Sequence, residues 1–509
     1  MAIHMFAAID VGSYELDMKI YEVSRAKGIR TVDHIMHRID LGSDTYTTGR
    51  IARRHVQEVV RVLRDFKRIM KTYRVEEYKA YGTSAIRETD NSSLILSQLE
   101  QETGIHIDVL SNSEQRFLDY KSVASRGEAF NKIIKDTCAI VDVGGGSMQI
   151  SMFDEDRLVS TQNLRLGVLR MHAQLSRIDA RSSQAQALIE ELANSQLEVY
   201  QKLYLGQKKI HNLIIVDDYI SSFMLQHGIE YISSEDFGKY VDGAQYASGS
   251  VYERQYGIST ESFPLLYITG VMIKAIIKAF GAEMIWAPGV TLCDGIVYEY
   301  AEKKKILPPS HNFEDDIFAC ARNISKRYQG SLTRSRTIEK ISLEIFDATK
   351  KVHGMGSRER LLLRIAATLH DCGKYISMMN LAECSYNIIM STEIIGLSHI
   401  EREIVANVVR YNHEDFVYYE EQELASDLDR ESYLTITRLT AILRLANGLD
   451  RSHKQKFSDI RISLKEDRMI INVKAGVDIT LEKGMFDGRA EFFEEVFGII
   501  PVIRQKTGV

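Results

Sequence analysis

Apolar residues along the first three hundred positions alternate between short runs typical of strands and longer stretches with helical spacing. Phe6–Val11 is an apolar run that ends at a glycine, and Glu15–Val23 has the pattern of its returning partner. Over Ile51–Tyr73, apolar residues recur every three or four positions, which predicts an amphipathic helix. This alternation predicts an α/β architecture for this part of the chain.

The same order of patterns returns in a second stretch. The apolar run Ala139–Val143 is followed by the glycine turn 144–146 and by a second strand pattern, Met148–Phe153. A long helix from about Ser183 to Leu205 and the strand pattern Asn212–Val216 complete it. Because each stretch opens with an apolar strand, an aspartate and a glycine turn, we predict two related lobes that face one cleft.

The pattern changes after the adjacent prolines Pro308 and Pro309, which follow the charged stretch 302–305 and mark a linker. Beyond them the spacing is mostly helical, until the alternation over 460–473 predicts a terminal strand pair. We therefore predict a first lobe over 1–125, a second lobe over 126–304, a helical domain over 310–456 and a small α+β segment over 457–509.

Composition narrows the class of protein. The chain has 509 residues, of which 45% are apolar and 26% charged, so a mainly disordered, collagenous or membrane-embedded protein is excluded. The net charge of -6 argues against duplex nucleic acid as a partner. Five cysteines without a CxxC pair indicate reduced thiols. With no signal peptide and no uninterrupted apolar run that could span a bilayer, we expect a cytoplasmic protein without a membrane partner.

Two glycine turns carry the candidate chemistry. The first is the segment 10–13 (DVGS) and the second is 142–147 (DVGGGS). Glycines allow consecutive backbone N–H groups to converge on an anion, and the serine hydroxyl adds a donor. The preceding Asp10 and Asp142 can hold Mg²⁺ through water. Either turn alone is equally well explained as a β-hairpin turn, but the pair favours phosphate binding.

These segments make the chain resemble the exopolyphosphatase / guanosine pentaphosphate phosphohydrolase (Ppx/GppA) family of the actin-like ATPase superfamily. The resemblance is carried by 8–13 (AIDVGS), 82–88 (GTSAIRE), 110–114 (LSNSE), 140–147 (IVDVGGGS) and 164–168 (LRLGV). Further along, 367–374 (ATLHDCGK) resembles the HD-like domain of longer members. The resemblance implies two ribonuclease-H-like (actin-like) lobes, an all-helical HD-like domain and a small terminal α+β segment.

The resemblance also implies an activity, which is the hydrolysis of terminal phosphates from polyphosphate or guanosine pentaphosphate in the inter-lobe cleft, with Mg²⁺ at Asp10 and Asp142. It implies polyphosphate or guanosine penta- or tetraphosphate as ligand, and a homodimer. The positions that would cradle phosphate are Gly12, Ser13, Thr83, Ser84, Arg87, Gly144, Gly145, Gly146 and Ser147. Arg87 suits this role because a guanidinium grips phosphate bidentately; the alternative is a solvated arginine at a helix start.

The sequence differs from the family pattern at the positions that the resemblance makes catalytic. The family usually has two glutamates in succession after Ser113, whereas this chain has Glu114 and then Gln115. The second turn normally continues to a glutamate, where this chain has Gln149. An amide can position a water but cannot take its proton, and loss of a general base costs about 10²–10⁴ in rate. Glu114 is not an obvious replacement, because its helical neighbour position points about 100° away.

Other positions also differ. Tyr14 and Glu15 replace the usual polar pair in the first turn, and Asp217 and Asp218 stand in a usually glycine-rich third turn. A late Arg-Glu-Gly segment of the family appears here as Cys293-Asp294-Gly295, so a cationic donor is lost. A relocated metal site for a less anionic substrate is the counter-interpretation. Its candidate carboxylates are Glu15, Asp17, Glu114, Asp217 and Asp218.

In the helical domain, the resemblance points to a divalent-metal site at His353, His370 and Asp371. The downstream ligand position is occupied by Asn447, whose amide binds metal more weakly than a carboxylate. His413 could still complete a site. We favour the interpretation that this domain is a helical scaffold in which His370 packs internally, in preference to a second metal site.

Three functions follow from these observations. Family membership predicts an exopolyphosphatase or pppGpp phosphohydrolase whose hydrolysis is weakened or lost. The first alternative is a non-catalytic regulator that binds polyphosphate or guanosine pentaphosphate. The second alternative is a metal-dependent phosphohydrolase that uses the HD-like domain.

Overall fold

The computed structural model describes residues 3–177, 182–217, 219–245, 262–419, 428–457, 459–474 and 476–505. The chain forms two compact units, Met1–Asn312 and Phe313–Val509. The first unit contains two mixed sheets, and the second contains a helical region with a small sheet.

The first sheet has five strands in the order β3-β2-β1-β4-β5. The strands are β1 His4–Val11, β2 Glu15–Ser24, β3 Gly28–Arg38, β4 Glu77–Gly82 and β5 Asp108–Val109. The helices of this part are α1 Leu41–Thr48, α2 Arg53–Thr72, α3 Ser84–Glu88, α4 Ser92–Thr103, α5 Asn112–Ala124 and α6 Glu128–Ile133. Strand β1 is antiparallel to β2 and parallel to β4.

The second sheet has six strands in the order β10-β11-β9-β6-β7-β8. The strands are β6 Cys138–Val143, β7 Met148–Asp154, β8 Arg157–Leu164, β9 Asn212–Asp217, β10 Tyr231–Ser233 and β11 Met284–Trp286. The helices are α7 Val168–Arg177, α8 Ser182–Tyr200, α9 Ile220–Gln226, α10 Ser234–Gln245, α11 Phe263–Phe280 and α12 Leu292–Lys303. The predicted helix to Leu205 ends in a π-helical turn, Gln201–Leu205.

The two sheets repeat one topology. In each, three antiparallel strands joined by short turns are followed by a strand that pairs in parallel with the first of them, β4 with β1 and β9 with β6. Asp10 pairs with Asp17 across the first hairpin, and Asp142 pairs with Gln149 across the second, seven positions apart in both cases. The prediction of two related lobes is confirmed.

Strand β1 is buried on both faces, because its alternate side chains pack against different helices. Ala7, Ile9 and Val11 belong to the core that the apolar face of α2 covers. Phe6 and Ala8 pack in a second core with residues of α12. Although α12 lies within the stretch that the sequence assigns to the second lobe, it packs on the sheet of the first.

One described helix, α11, is long and apolar enough to cross a membrane by length and composition, with a mean hydropathy of 1.6. Lys274 and Lys278 interrupt its apolar run, so it is not an uninterrupted segment of the kind that the sequence analysis sought. In the structure, 56% of this helix is buried, and residues such as Val271 and Ile273 belong to the core of the second lobe.

The second unit begins with helices and ends in a three-stranded sheet. The helices are α13 Phe313–Arg327, α14 Leu332–His353, α15 Ser357–Leu369, α16 Leu381–Ser391, α17 His399–Tyr411 and α18 Arg430–Leu449, with a 3₁₀ turn at Cys372–Tyr375. The terminal elements are β12 Arg461–Lys465, β13 Arg468–Val473, α19 Thr480–Gly484, α20 Asp487–Phe497 and β14 Ile500–Gln505. This arrangement confirms a helical domain followed by a small α+β segment.

Candidate active site

The two glycine turns have the same geometry. The N–H of Gly12 donates to the carbonyl of Glu15 at 2.9 Å, and the N–H of Gly144 donates to the carbonyl of Ser147 at 3.0 Å. A side chain at Gly12 would place its Cβ 2.7 Å from the Glu15 carbonyl oxygen, so the turn requires glycine. Both turns are therefore hairpin turns, and these two N–H groups are used within them.

A cluster of three hydroxyl groups joins the turns. The Ser13 hydroxyl hydrogen-bonds to the Ser84 hydroxyl at 2.8 Å and to the Tyr46 hydroxyl at 2.9 Å, and Tyr46 donates to Ser84 at 2.9 Å. A Cβ added at Gly145 would lie 2.9 Å from the Ser13 Cβ, and one at Gly146 would overlap the Tyr46 hydroxyl. The structure thus brings four predicted phosphate-binding residues together around Tyr46.

Tyr46 was not singled out from the sequence. It lies on α1, which has no pronounced apolar stripe, and nothing in its neighbourhood resembles a motif. Burial is the main reason that the pKa of its phenol is raised, so the hydroxyl stays protonated and able to donate. Arg170 covers its ring, with 4.7 Å from the guanidinium carbon to the ring centre.

Arg170 and Gly167 hold the second turn in place. Arg170 Nε donates to the Gly146 carbonyl at 2.9 Å, and its Nη2 donates to Glu88 at 2.7 Å. Gly167 packs so closely on the 144–146 turn that any Cβ would overlap the backbone of Gly146. The predicted motif at 164–168 therefore supports the turn through backbone packing.

Thr83 and Arg87 lie next to the first turn. The Thr83 N–H donates to the Val11 carbonyl at 3.2 Å. Arg87 Nη1 donates to the Leu110 carbonyl at 2.6 Å and to Gln115 Oε1 at 3.3 Å. Its Nη2 is buried and has no hydrogen-bond partner among the described residues, and burial lowers the pKa of the guanidinium. Arg87 is thus fixed by hydrogen bonds and largely buried, so the alternative of a solvated arginine at a helix start is wrong.

Glu114 is engaged in capping α5. Its Oε2 accepts from the Ser111 N–H at 3.0 Å and from the Ser111 hydroxyl at 2.7 Å, while the Glu114 N–H donates to that hydroxyl at 3.2 Å. This reciprocal pair is a capping box, which satisfies N–H groups that the first helical turn leaves open. The carboxylate is therefore directed to the helix start.

Gln149 is bound to an arginine that the sequence analysis did not consider. Its side chain is buried, and its Oε1 accepts from Arg116 Nε at 3.1 Å. Arg116 is equally buried, and its Nη1 donates to the Thr161 hydroxyl at 2.5 Å. Both amides at the glutamate positions of the family, Gln115 and Gln149, thus accept from guanidinium groups.

Three aspartates lie beside these amides. Asp142 shares a hydrogen bond with Asp119 of α5 and lies near Asp217. Burial raises the pKa of Asp142 to about 7. The hydrogen bond with Asp119 lowers this pKa in part, and the negative charge of Asp217 raises it further. Asp119 is buried and occupies the position four residues after Gln115 on the same helix face. That spacing was the signal in the sequence that could have identified Asp119.

Asp10 and Asp142 have the oxygens that a cation needs. Burial raises the pKa of Asp10, as do the charges of Asp17, Asp142 and Glu15. One oxygen of Asp10 (Oδ1) and one of Asp142 (Oδ2) are buried without a hydrogen-bond partner among the described residues. Mg²⁺ typically takes one or two carboxylates and completes its shell with water and phosphate oxygens. These two residues fit such an ion.

The carboxylates of the counter-interpretation are already paired. Glu15 lies 3.4 Å from Arg38 and Asp17 lies 2.6 Å from His34. Asp217 accepts hydrogen bonds from the N–H groups of Tyr219, Ile220 and Ser221 at 2.6–3.0 Å, at the start of α9. Asp218 lies outside the described residues.

Asp294 is paired as well. It accepts from Lys19 at 2.8 Å and from the Tyr21 hydroxyl at 2.9 Å. Burial alone would raise the pKa of Asp294, but the Lys19 charge and these hydrogen bonds lower it overall. Across the described residues, no group of three or more His, Cys, Asp or Glu side chains is placed to hold a metal ion.

The candidate metal ligands in the second unit differ in whether their side-chain atoms are already hydrogen-bonded. His353 donates from Nε2 to the Phe346 carbonyl at 2.9 Å and accepts the Met355 N–H at Nδ1 at 2.9 Å, so neither nitrogen is available to a metal. His370 and Asp371 lie together, 3.9 Å apart. His413 contacts the backbone carbonyl of His370 at 2.6 Å.

Comparison with known proteins identifies the family of the chain. The profile described as Ppx/GppA phosphatase family matches residues 20–304, which is more than half of the chain. The profile of Ppx/GppA phosphatase, domain III, matches residues 319–484. A guanosine-5'-triphosphate,3'-diphosphate pyrophosphatase of Photobacterium profundum is 21% identical over 487 residues, covering 92% of each chain.

Solved structures show the fold of the first part of the chain. An exopolyphosphatase of Cytophaga hutchinsonii aligns with a TM-score of 0.51 at 15% identity, covering 60% of this chain and all of that one. The Ppx/GppA family member of Aquifex aeolicus aligns with a TM-score of 0.50 at 16% identity, covering 60% and 99%. The two lobes are therefore of the actin-like type, and the chain belongs to the Ppx/GppA phosphatase family.

Proposed function

We propose that this chain binds a phosphoanhydride chain, polyphosphate or guanosine penta- or tetraphosphate, in the cleft between its two lobes, and that its hydrolysis of that chain is lost or strongly weakened. One observation carries the proposal: both glutamate positions of the family are amides held by arginines, Gln115 by Arg87 and Gln149 by Arg116.

Anion binding is supported by the donors around the turns. Ser13 and Ser84 lie in contact, and the Arg87 Nη2 group has no hydrogen-bond partner in the part of the chain that the structure describes. A charged donor buried without a partner is costly, and a phosphate oxygen is the acceptor that a guanidinium binds best. The family relatives named for a guanosine pyrophosphatase and an exopolyphosphatase supply the two ligand classes.

Mg²⁺ bound at Asp10 and Asp142 would neutralise the phosphate chain, and family phosphatases generally depend on a divalent metal. The remaining step of hydrolysis is deprotonation of the attacking water. Gln115 and Gln149 cannot accept that proton, and Glu114 is engaged with Ser111. Without a general base we expect turnover lowered by about 10²–10⁴ relative to a family enzyme with both glutamates.

The test measures binding and turnover separately. Titration calorimetry with polyphosphate or guanosine pentaphosphate plus Mg²⁺ should detect binding that Arg87→Ala weakens strongly. Arg61→Ala is the matched control, since Arg61 is an exposed arginine of the same lobe paired with Glu58. Phosphate release should be near background for the natural chain and should rise in Gln115→Glu/Gln149→Glu. Phosphate release by the natural chain above background and equal to that of the double variant would refute the loss of hydrolysis. Absence of binding would refute the proposal.

A second candidate retains hydrolysis through a different base. That base would be Asp119, a buried carboxylate on the helix of Gln115 that shares a hydrogen bond with Asp142. In that case Asp119→Asn should abolish phosphate release by the natural chain while leaving calorimetric binding intact. If the natural chain releases no phosphate, this candidate fails.

A further inference from the structure

A buried arginine lies at the centre of the HD-like residues of the second unit. Arg334 of α14 has only 6% of its surface exposed. Its Nη2 donates to Asn447 Oδ1 at 2.7 Å, and its other nitrogens lie 3.6 Å from Asp371 and 3.7 Å from Asp450. The amide that replaces the expected carboxylate ligand therefore faces a guanidinium.

The histidine of this cluster has the tautomer that a metal would require. His370 Nδ1 donates to the Ala367 carbonyl at 2.8 Å, which leaves the lone pair on Nε2. Nε2 is buried and has no hydrogen-bond partner among the described residues. One oxygen of Asp371 (Oδ1) and one of Asp450 (Oδ2) are likewise buried without a hydrogen bond. Metal-ligating histidines commonly donate their second nitrogen to a backbone carbonyl in this way.

Charge decides what can occupy the cluster. The carboxylates of Asp371 and Asp450 face the charges of Arg334 and of Lys374, which lies 3.4 Å from Asp371. Two acidic and two basic groups leave no net charge, so a divalent ion would add two uncompensated positive charges to a buried site. Burying uncompensated charge is strongly unfavourable.

We infer that the Arg334 guanidinium is the resident cation of this cluster and takes the place of a divalent metal. His370, Asp371 and Asp450 are not placed to hold a metal as they stand, and become a metal site only when that guanidinium is removed. The hydrogen bond to Asn447 fits this inference, since an amide oxygen satisfies a guanidinium without adding a third buried carboxylate. The helical unit then folds around a cation that its own chain supplies. The HD-like hydrolase alternative is disfavoured for the same reason.

The inference is tested by counting Mn²⁺ equivalents bound to the full chain after dialysis. Mn²⁺ bound in the first unit contributes equally to every protein, so only differences matter. The natural chain and His370→Ala should bind the same number. Arg334→Met, which removes the charge at similar length, should gain one equivalent, and Arg334→Met/His370→Ala should lose it again. Arg334→Lys, which keeps a cation, should gain none.

Two results would overturn the inference. A loss of one equivalent in His370→Ala relative to the natural chain would mean that metal is resident. A folded Arg334→Met protein that gains no Mn²⁺ would mean that the remaining groups do not become a metal site. Should Arg334→Met fail to fold, the comparison of the natural chain with His370→Ala decides. As a second readout, chelator should change the melting temperatures of the natural chain and of His370→Ala by the same amount, and a larger fall for the natural chain contradicts the inference.

Discussion

Arg116 Nε donates a hydrogen bond of 3.1 Å to the side-chain oxygen of Gln149, and both residues are almost completely buried. Gln149 lies directly across the hairpin from Asp142, next to the second glycine turn. The Gln149 amide therefore has a structural role of its own, because it is the hydrogen-bond acceptor of a buried arginine. The second unit has a parallel case, in which Arg334 donates to Asn447.

The buried pair should show energetic coupling. Arg116→Leu removes a charged donor from Gln149 and Thr161 and should lower the free energy of unfolding by about 2–3 kcal/mol. Gln149→Leu should cost a similar amount, and the double variant should cost about 1–2 kcal/mol less than the sum. Urea unfolding followed by the fluorescence of Trp286, the single tryptophan, measures this. Strictly additive effects would show that the pair is not coupled.

Glu114 should behave as a helix cap. Glu114→Gln keeps an oxygen that can accept from Ser111 and should change stability little, whereas Glu114→Ala should lower it by about 1 kcal/mol. In the background of Gln115→Glu/Gln149→Glu, Glu114→Gln should leave phosphate release unchanged. A loss of release at unchanged stability would instead identify Glu114 as the base.

The strands and turns were predictable because their signals are local. The first two strands match closely, since apolar alternation and a glycine turn specify both ends of Phe6–Val11 and Glu15–Val23. Strand β3 was not predicted, because Gly28–Arg38 lies at the sheet edge and is mostly exposed or half-buried, which leaves little apolar signal. The two-lobe arrangement followed from repetition of that local pattern.

The contacts of the site could not be predicted in the same way. Tyr46 meets Ser13 across 33 positions and Arg116 meets Gln149 across the same number, so each contact depends on how a helix packs on a sheet. Arg334 and Asn447 are 113 positions apart. The sequence identified the amides as departures from a family pattern and placed Arg87 in a motif, but Arg116 and Arg334, which accompany Gln149 and Asn447, belong to no motif.

Stability should depend on pH through Asp142. Its pKa is raised from 3.8 in the unfolded chain to about 7 in the folded protein. Protonation of Asp142 therefore stabilises the folded state fully below about pH 4, and this stabilisation is lost as the pH rises through 7. The shift corresponds to at most about 4 kcal/mol. Asp142→Asn should therefore gain stability relative to the natural chain between pH 4 and 8, again measured by Trp286 fluorescence in urea. A difference that does not change over this range would contradict the raised pKa.

Mg²⁺ binding should have the opposite dependence on pH. The ion requires ionised carboxylates, and burial raises the pKa of both Asp10 and Asp142. Its affinity, measured by calorimetry, should rise between pH 6 and 8, and Asp142→Asn should reduce both the affinity and this dependence. The matched control is Asp33→Asn, because Asp33 is an acceptor for Tyr73 on the outer strand of the first sheet. Unchanged affinity across this range would remove Asp142 from the site.

Tyr46 should oppose phosphate binding, because its hydroxyl already satisfies Ser13 and Ser84. An incoming phosphate chain has to displace that hydroxyl, and a net hydrogen bond is worth about 0.5–1.5 kcal/mol. Tyr46→Phe should therefore tighten binding of polyphosphate about two- to tenfold by calorimetry. Tyr73→Phe, which removes a hydroxyl bonded to Asp33, should leave binding unchanged. Weaker binding in Tyr46→Phe would mean that the hydroxyl is itself a ligand of the phosphate and not its competitor.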